Sequence, residues 1–364
     1  MLVLRRCRKT TDDRLKSLKT SLKVSLMKCC GRAFSVKPFL LAGIAAIQFY
    51  HNAKIDQFLR GDSMPGQPIL PRTLDDPTGM DSRERKFIRD FDRRVAAVGK
   101  EVLRILRDQN YTVITLNAMQ TNATSYQFEL DQAILLGINS EIERIAELIL
   151  LEGGEQELWS MRAYVEPAYI QGTAVQAANL TVQSELYALT KPSLDAILFS
   201  EPYRKRIGLL RAREFELMKG FTAQAKTDLA GALTRGMIAG LNPRIIAKDI
   251  AASTGINQRR GERIARTEVG NAFRQARMDE AETARVDLGI KTLELHLSAL
   301  SPTTRPNHRA RHGTLHSVAD QRAWWAESGQ SINCKCSTVS VLVDDKGNPL
   351  SPGIIERAKR KLDK

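Results

Sequence analysis

The chain has little of what secretion, membrane insertion or familiar nucleotide chemistry leaves in a sequence. Cysteine and histidine occur five times each in 364 residues. An odd, small number of cysteines makes no disulfide framework, which points to synthesis in a reducing, intracellular compartment. The apolar run at residues 39–50 falls short of the ~20 residues needed to span a bilayer. Its long, charged lead is unlike a signal peptide, so a buried or interfacial helix is expected there and no membrane partner. There is no P-loop, no G-x-G-x-x-G, no H-E-x-x-H and no carboxylate cluster suited to two-metal chemistry. The commoner nucleotide-binding and metallohydrolase classes are thereby set aside.

What is present is a chain long enough for two or three domains, 43% apolar, with a net charge of +14. Such a charge suggests an acidic partner, nucleic acid above all. Its placement narrows the idea. Residues 1–60 hold 13 Lys/Arg against 3 Asp/Glu, so +10 of the +14 belongs to one N-terminal arm. Leu15, Leu18, Leu22 and Leu26 with interleaved lysines would make that arm a basic amphipathic helix, or a solvated extension.

Residues 61–79 carry four prolines and three glycines and form a linker or extended docking arm, closing at residue 80. A helical region is expected over 81–241. Phe91, Val95, Val98, Val102 and Ile105 step by four and three, predicting a helix over 82–108. Ile134, Leu135, Ile138, Ile142, Ile145 and Ile149 predict another, stopped by Gly153-Gly154. Further helices are expected over 155–198, with breaks near Pro167 and Pro192, and over 202–241. From Asn242 the text suggests two short helices around a Gly255 turn, either a structural hairpin or a helix-turn-helix. In the second case Arg259, Arg260 and Arg263 would face nucleic acid.

After Gly289 the period changes. Residues 292–298 and 337–343 alternate apolar and polar and read as half-buried strands. The fold class is therefore α+β: a long, mainly helical N-terminal region, then a small α+β C-terminal domain over 242–345. A basic tail, residues 346–364, closes the chain with a helix from residue 354.

Between the two strands lies the densest chemistry. Three of the five histidines (His308, His312 and His316) fall within nine positions, and Cys334 and Cys336 follow. Imidazole and thiolate are zinc ligands, and His308, His312, Cys334 and Cys336 would make four, with His316 or His296 able to replace His312. The alternatives are reduced core cysteines, or a Cys–His nucleophile pair in a cysteine- or metal-dependent enzyme. No third orienting group or oxyanion feature accompanies that pair. Trp324-Trp325 reads as a hydrophobic anchor before a base-stacking platform.

Ile264-Ala265-Arg266-Thr267-Glu268 with Ala272 and Ala276, then Thr304-Arg305-Pro306-Asn307-His308 with Gly313, then Asn333-Cys334-Lys335-Cys336, together resemble the Mu F-like head morphogenesis domain. The family comprises minor head proteins of tailed double-stranded DNA bacteriophages and prophages. The resemblance covers about residues 240–345, and the lead-in from Leu74 to Gly79 resembles the family's N-terminal helical region. Arg266, Glu268, Arg305, His308, Gly313, Cys334 and Cys336 take its motif positions. Two positions depart from the pattern: Ala299-Leu300-Ser301 stands where an acidic residue is usual, and Lys335 where arginine is common. The resemblance implies a non-enzymatic virion protein, made in the host cytoplasm and placed in the head interior or at the portal. Its implied partners are the portal protein and the major capsid or scaffold proteins, and its role head assembly and DNA packaging or delivery.

Overall fold

Asp76 organises the start of the first long helix. Its carboxylate accepts from the backbone N–H groups of Gly79 (2.9 Å), Met80 (3.2 Å) and Asp81 (3.0 Å), donors that a helix start leaves without intrahelical partners. The computed structural model describes residues 66–73, 75–118, 121–191 and 193–360. The expectations for the basic arm, its apolar run and Pro192 lie outside the described residues.

Helix α1 (Asp81–Arg107) buries Phe87, Phe91, Val95, Val98 and Val102, the seam read from the sequence. Helix α2 (Gln132–Leu150) is capped by Asp131, whose side chain accepts from Ile134 N at 2.7 Å, and buries Ile138, Ile142, Ile145 and Leu150. Between them comes an element that the sequence reading passed over, a hairpin of β1 (Tyr111–Ala118) and β2 (Thr121–Phe128) in continuous antiparallel register.

Two expectations about helix breaks are corrected. Pro167 does not end its helix. The five-residue π-turn Met161–Val165 precedes it and runs straight into α3 (Glu166–Gln183). A widened turn re-routes the hydrogen bonds that a proline would interrupt. Nor does Gly255 make a turn: α5 (Pro243–Leu288) passes through it as one helix of 46 residues. A mid-helix glycine costs only about 1 kcal/mol, while Ile246, Ile250, Ala265, Val269, Ala272 and Phe273 bury one face of α5 along its length. The helix-turn-helix reading falls with that turn.

Helix α4 (Glu201–Ile238) joins α1, α2 and α5 in one core that includes Trp159 and Phe221. Two glycines set the closest approaches. A Cβ on Gly172 would lie 2.3 Å from the Phe273 carbonyl oxygen, and one on Gly261 would lie 2.3 Å from the Phe91 ring. Only glycine lets α3 meet the backbone of α5, and α5 meet the Phe91 ring, at that range.

The C-terminal region builds a three-stranded antiparallel sheet in the order β4-β3-β5, from β3 (Thr292–Leu297), β4 (Leu315–His316) and β5 (Ser337–Leu342). One face carries Leu295, Leu297, Val339 and Val341 against Ile354 and Ala358. The strands were expected to be half-buried, yet the other face is buried too: Glu294, His296, Ser298, Thr338 and Ser340 are all inaccessible to solvent. Helices α3 and α5 cover part of it, and α3 supplies some of the bonds that its polar groups need. Gln176 donates to Ser340 Oγ (2.6 Å), Asn179 and Gln183 donate to the Ser340 carbonyl (2.8 and 2.9 Å), and Ser340 donates to Glu294.

The closing segment is no free tail. Ile354 and Ala358 of α8 (Ile354–Arg360) pack into the sheet's apolar cluster. The Pro/Gly segment is docked as well: Gly66 N donates to Val182 O, and Ile69 N to Asn179 Oδ1. The described residues pack as one unit.

Candidate functional site

His308 sits in α6 (Pro306–Ala310), a single turn started by Pro306 and inserted between β3 and β4, and α7 (Val318–Ala326) follows β4. Cys334 and Cys336 lie on the approach to β5, after a loop in which Ser328, Gly329 and Asn333 all have positive φ. Such a loop needs external support, and Arg305 gives it. The guanidinium donates to the carbonyls of Gly329 (3.2 Å), Gln330 (2.7 Å) and Ile332 (3.2 Å). Thr267 Oγ1 on α5 accepts from Asn333 N at 3.2 Å, and Lys335 reaches Asp81 at the start of α1 (2.7 Å). Lysine at this position therefore ties the loop to the helical region.

The support brings three side chains together. His308 Nδ1 lies 3.3 Å from Cys336 Sγ and 3.4 Å from Cys334 Sγ. All three residues are buried, and their ligand atoms fall within 4.8 Å of one another. Gln330 Oε1 accepts from His308 Nε2 at 2.8 Å, which places the ring proton there and leaves Nδ1 bare toward the sulfurs. Hydrogen bonding from Cys336 holds Cys334 well below the ordinary thiol range, with Arg274 adding to the effect, and Cys336 is raised in turn.

Of the four expected zinc ligands, His312 is not in this group. Its Nδ1 accepts from Ser298 N (3.1 Å) and its Nε2 donates to Ala358 O (3.2 Å), so both ring nitrogens are occupied in joining β3 to α8. Burial lowers its pKa. His316 lies on β4, bonded to Thr314 Oγ1 at 2.7 Å. His296 shares a neighbour with the cluster. Its ring centroid stands 5.2 Å from that of Trp324, and His308 stands 4.6 Å from the same ring. Burial holds His296 down at about 3, so it is neutral; Nδ1 faces Gln321 Oε1 (3.2 Å) and Nε2 has no partner.

Glu268 and Arg266 serve elsewhere. Glu268 is buried, with its carboxyl raised by desolvation, and accepts from Arg213 at 2.9 Å. Arg266 is exposed and pairs with Glu262 at 3.4 Å. Gly313 has φ +75 in the turn between α6 and β4, where its N–H donates to His296 O (2.8 Å). Arg260 is held by Asp228 (2.5 Å), whereas Arg259 and Arg263 are exposed and form no ion pair among the described residues.

The sequence reading overlooked Arg274 and Gln330. Arg274 is 1% exposed, donates to the carbonyls of Cys334 (2.6 Å) and Cys336 (3.3 Å), and lies over the Trp325 ring. Its signal was an arginine set among Gly270, Ala272, Phe273 and Ala276, the small and apolar face of a helix. Gln330 carries no comparable signal.

Chemically the cluster offers two soft sulfurs and one imidazole lone pair, closed off from bulk water. Burial of both thiols and of His308 denies a substrate direct approach to them. Around the cluster Arg305 and Arg274 hold backbone carbonyls, whereas the His308 ring meets the side chains of Gln330, Cys334 and Cys336. Residues 227–339 match the family model described as Phage Mu protein F like protein, which starts within α4 and ends in β5. No curated protein and no solved structure matches the chain.

Proposed function

We propose that this chain, with its Mu F-like segment, is a minor head protein of a tailed double-stranded DNA phage or prophage. In this reading it is a structural, non-enzymatic component of the virion that serves head morphogenesis. It associates with the portal in the head interior and acts in DNA packaging or delivery. The observation that carries the reading is the match over residues 227–339, whose motif side chains Arg305, His308 and Cys336 are spent on holding one loop and one sheet.

The helical region supplies surfaces for partners. Leu189, Phe199 and Leu209 are 74%, 75% and 73% exposed, large apolar side chains left in solvent within one stretch of sequence. We assign them to contact with the portal or the inner capsid. No helix among the described residues is long and apolar enough to cross a membrane. Co-sedimentation with portal rings and procapsids tests the reading: the chain should travel with both, and Phe199→Glu with Leu209→Glu should reduce that association. Purified heads that contain none of the chain would refute it.

A second role in DNA binding is supported by Arg259 and Arg263, four residues apart on one helix and free of ion pairs among the described residues, together with the basic arm. Binding through phosphates should weaken steeply with salt. Deleting residues 1–60 should remove most of it; unchanged affinity would reject the arm as the binding segment.

A further inference from the structure

We propose that His308, Cys334 and Cys336 bind one zinc ion through Nδ1 and the two Sγ atoms, with His296 Nε2 as the fourth ligand. The site owes nothing to the partner chemistry proposed above and stands or falls separately.

Geometry is the first support. Zinc bonds of about 2.3 Å to sulfur and 2.0–2.1 Å to nitrogen put the N···S edge of a tetrahedron near ~3.6 Å. The two observed N···S separations, 3.3 and 3.4 Å, need only a few tenths of an ångström of expansion to admit the ion. The group also forms without displacing backbone, because Arg274 and Arg305 already fix the loop that carries both cysteines.

The second support is independent of that spacing. Histidines that ligate a metal usually give their other nitrogen's proton to a fixed oxygen, which aims the bare nitrogen at the ion. His308 does this through Gln330 Oε1 and His296 through Gln321 Oε1. The bare Nε2 of His296 is buried and has no partner. An unpartnered buried nitrogen is costly to leave unsatisfied. Register brings it to the right face: His296 and Ser298 are alternate residues of one strand run, and β3 pairs His296 with Thr338, two residues beyond Cys336. His296 lies outside the group within 4.8 Å, so its ring must move toward the sulfurs to serve as the fourth ligand.

The ligand set is neutral overall once both thiols are deprotonated around a divalent ion, which suits a buried site. Two thiolates and two imidazoles select zinc over magnesium or calcium, which take oxygen donors.

The test uses the full chain, purified with a non-chelating reductant from zinc-supplemented medium. Elemental analysis should find about one zinc per chain, the stoichiometry of a closed four-ligand site. Replacement by cobalt should give an intense thiolate-to-metal charge-transfer band together with the strong visible bands of tetrahedral cobalt. Cys334→Ser, Cys336→Ser and His308→Ala should each lose most of the metal, and His316→Ala should keep it. A wild-type chain that holds no zinc and gives no thiolate band with cobalt overturns the site without recourse to any variant that fails to fold. Metal affinity unchanged in His296→Ala overturns the fourth ligand, and loss at least tenfold supports it.

Discussion

The helical region and the C-terminal sheet are held by different kinds of matter. Around α1, α2 and α4 the interior is Phe87, Phe91, Trp159, Phe221, Ile142 and their neighbours, a surface that asks only for shape and volume. Around β3 and β5 the interior includes Glu294, His296, Ser298, His308, Gln321, Thr338 and Ser340, all 2% exposed or less. Apolar packing tolerates volume-conserving exchange, whereas a buried polar group needs its partner at the right place and angle. The same chain thus contains one part that forgives and one that specifies.

The largest effect should come from opening the forgiving part. Phe91→Ala removes a ring that touches Phe87, Trp159 and Phe221, and should lower unfolding free energy by about 3–5 kcal/mol in urea titration. Phe91→Leu should cost far less, about 1 kcal/mol. A comparable loss from both would show that this core also depends on exact shape.

Next is the polar layer. Arg277 is buried with Glu294, and burial lowers its pKa to about 10. Arg277→Met leaves the Glu294 charge without its counterion and should cost about 3–4 kcal/mol. Adding Glu294→Gln should return part of that loss, with a coupling of about 1–2 kcal/mol in a double-mutant cycle. Strict additivity would show that the two charges do not sense each other.

The third sharpens the contrast at its exception. Glu214 is a buried carboxyl within the helical region, where desolvation raises its pKa to about 7; Ser160 donates to one oxygen and the other has no partner. Below pH 4.5 the group is protonated in both folded and unfolded chains and stability is unaffected. Between pH 4.5 and about 7 the unfolded chain loses its proton first, so stability falls as pH rises. Glu214→Gln should flatten that slope and stabilise the protein above pH 7 by at most about 3 kcal/mol. An unchanged slope in the urea midpoint from pH 5 to 8 would exclude Glu214 as its source.

The smallest effect concerns the loop. Arg305→Lys keeps the charge but cannot span three carbonyls, and should cost about 1–2 kcal/mol. Hydrogen exchange should accelerate at residues 329–334 while α1 stays protected. Uniform acceleration would mean that loop and helices open together.

What the sequence disclosed follows the same division. Helix α1 was readable because Phe91, Val95, Val98 and Val102 repeat with the helix itself, and β3 and β5 because their alternation is strict. The grouping of His308 with Cys334 and Cys336 was readable because histidine and cysteine are scarce enough for a cluster to stand out. The long run of α5 through Gly255 was not, since glycine and the flanking Ser253-Thr254 mimic a turn and only packing overrides them. His312 was misplaced because spacing cannot show that Ser298 and Ala358 have already engaged its ring. Arg274 was missed because a buried arginine is justified only by the carbonyls it meets, which lie 60 and 62 residues away in sequence.

The docked Pro/Gly segment has a kinetic meaning as well. Gly66 O accepts from Ser351 Oγ, Gln67 bonds Arg357, and Leu70 packs against the sheet, so the first described residues are clasped by nearly the last. These contacts join positions 285 and 290 apart in sequence and can form only late, after the helices with their local contacts. On the ribosome the clasp must wait until the C-terminal segment has emerged. A chain truncated before Ser351 would then keep its helical core while the segment at Gly66 and Gln67 stays unclasped.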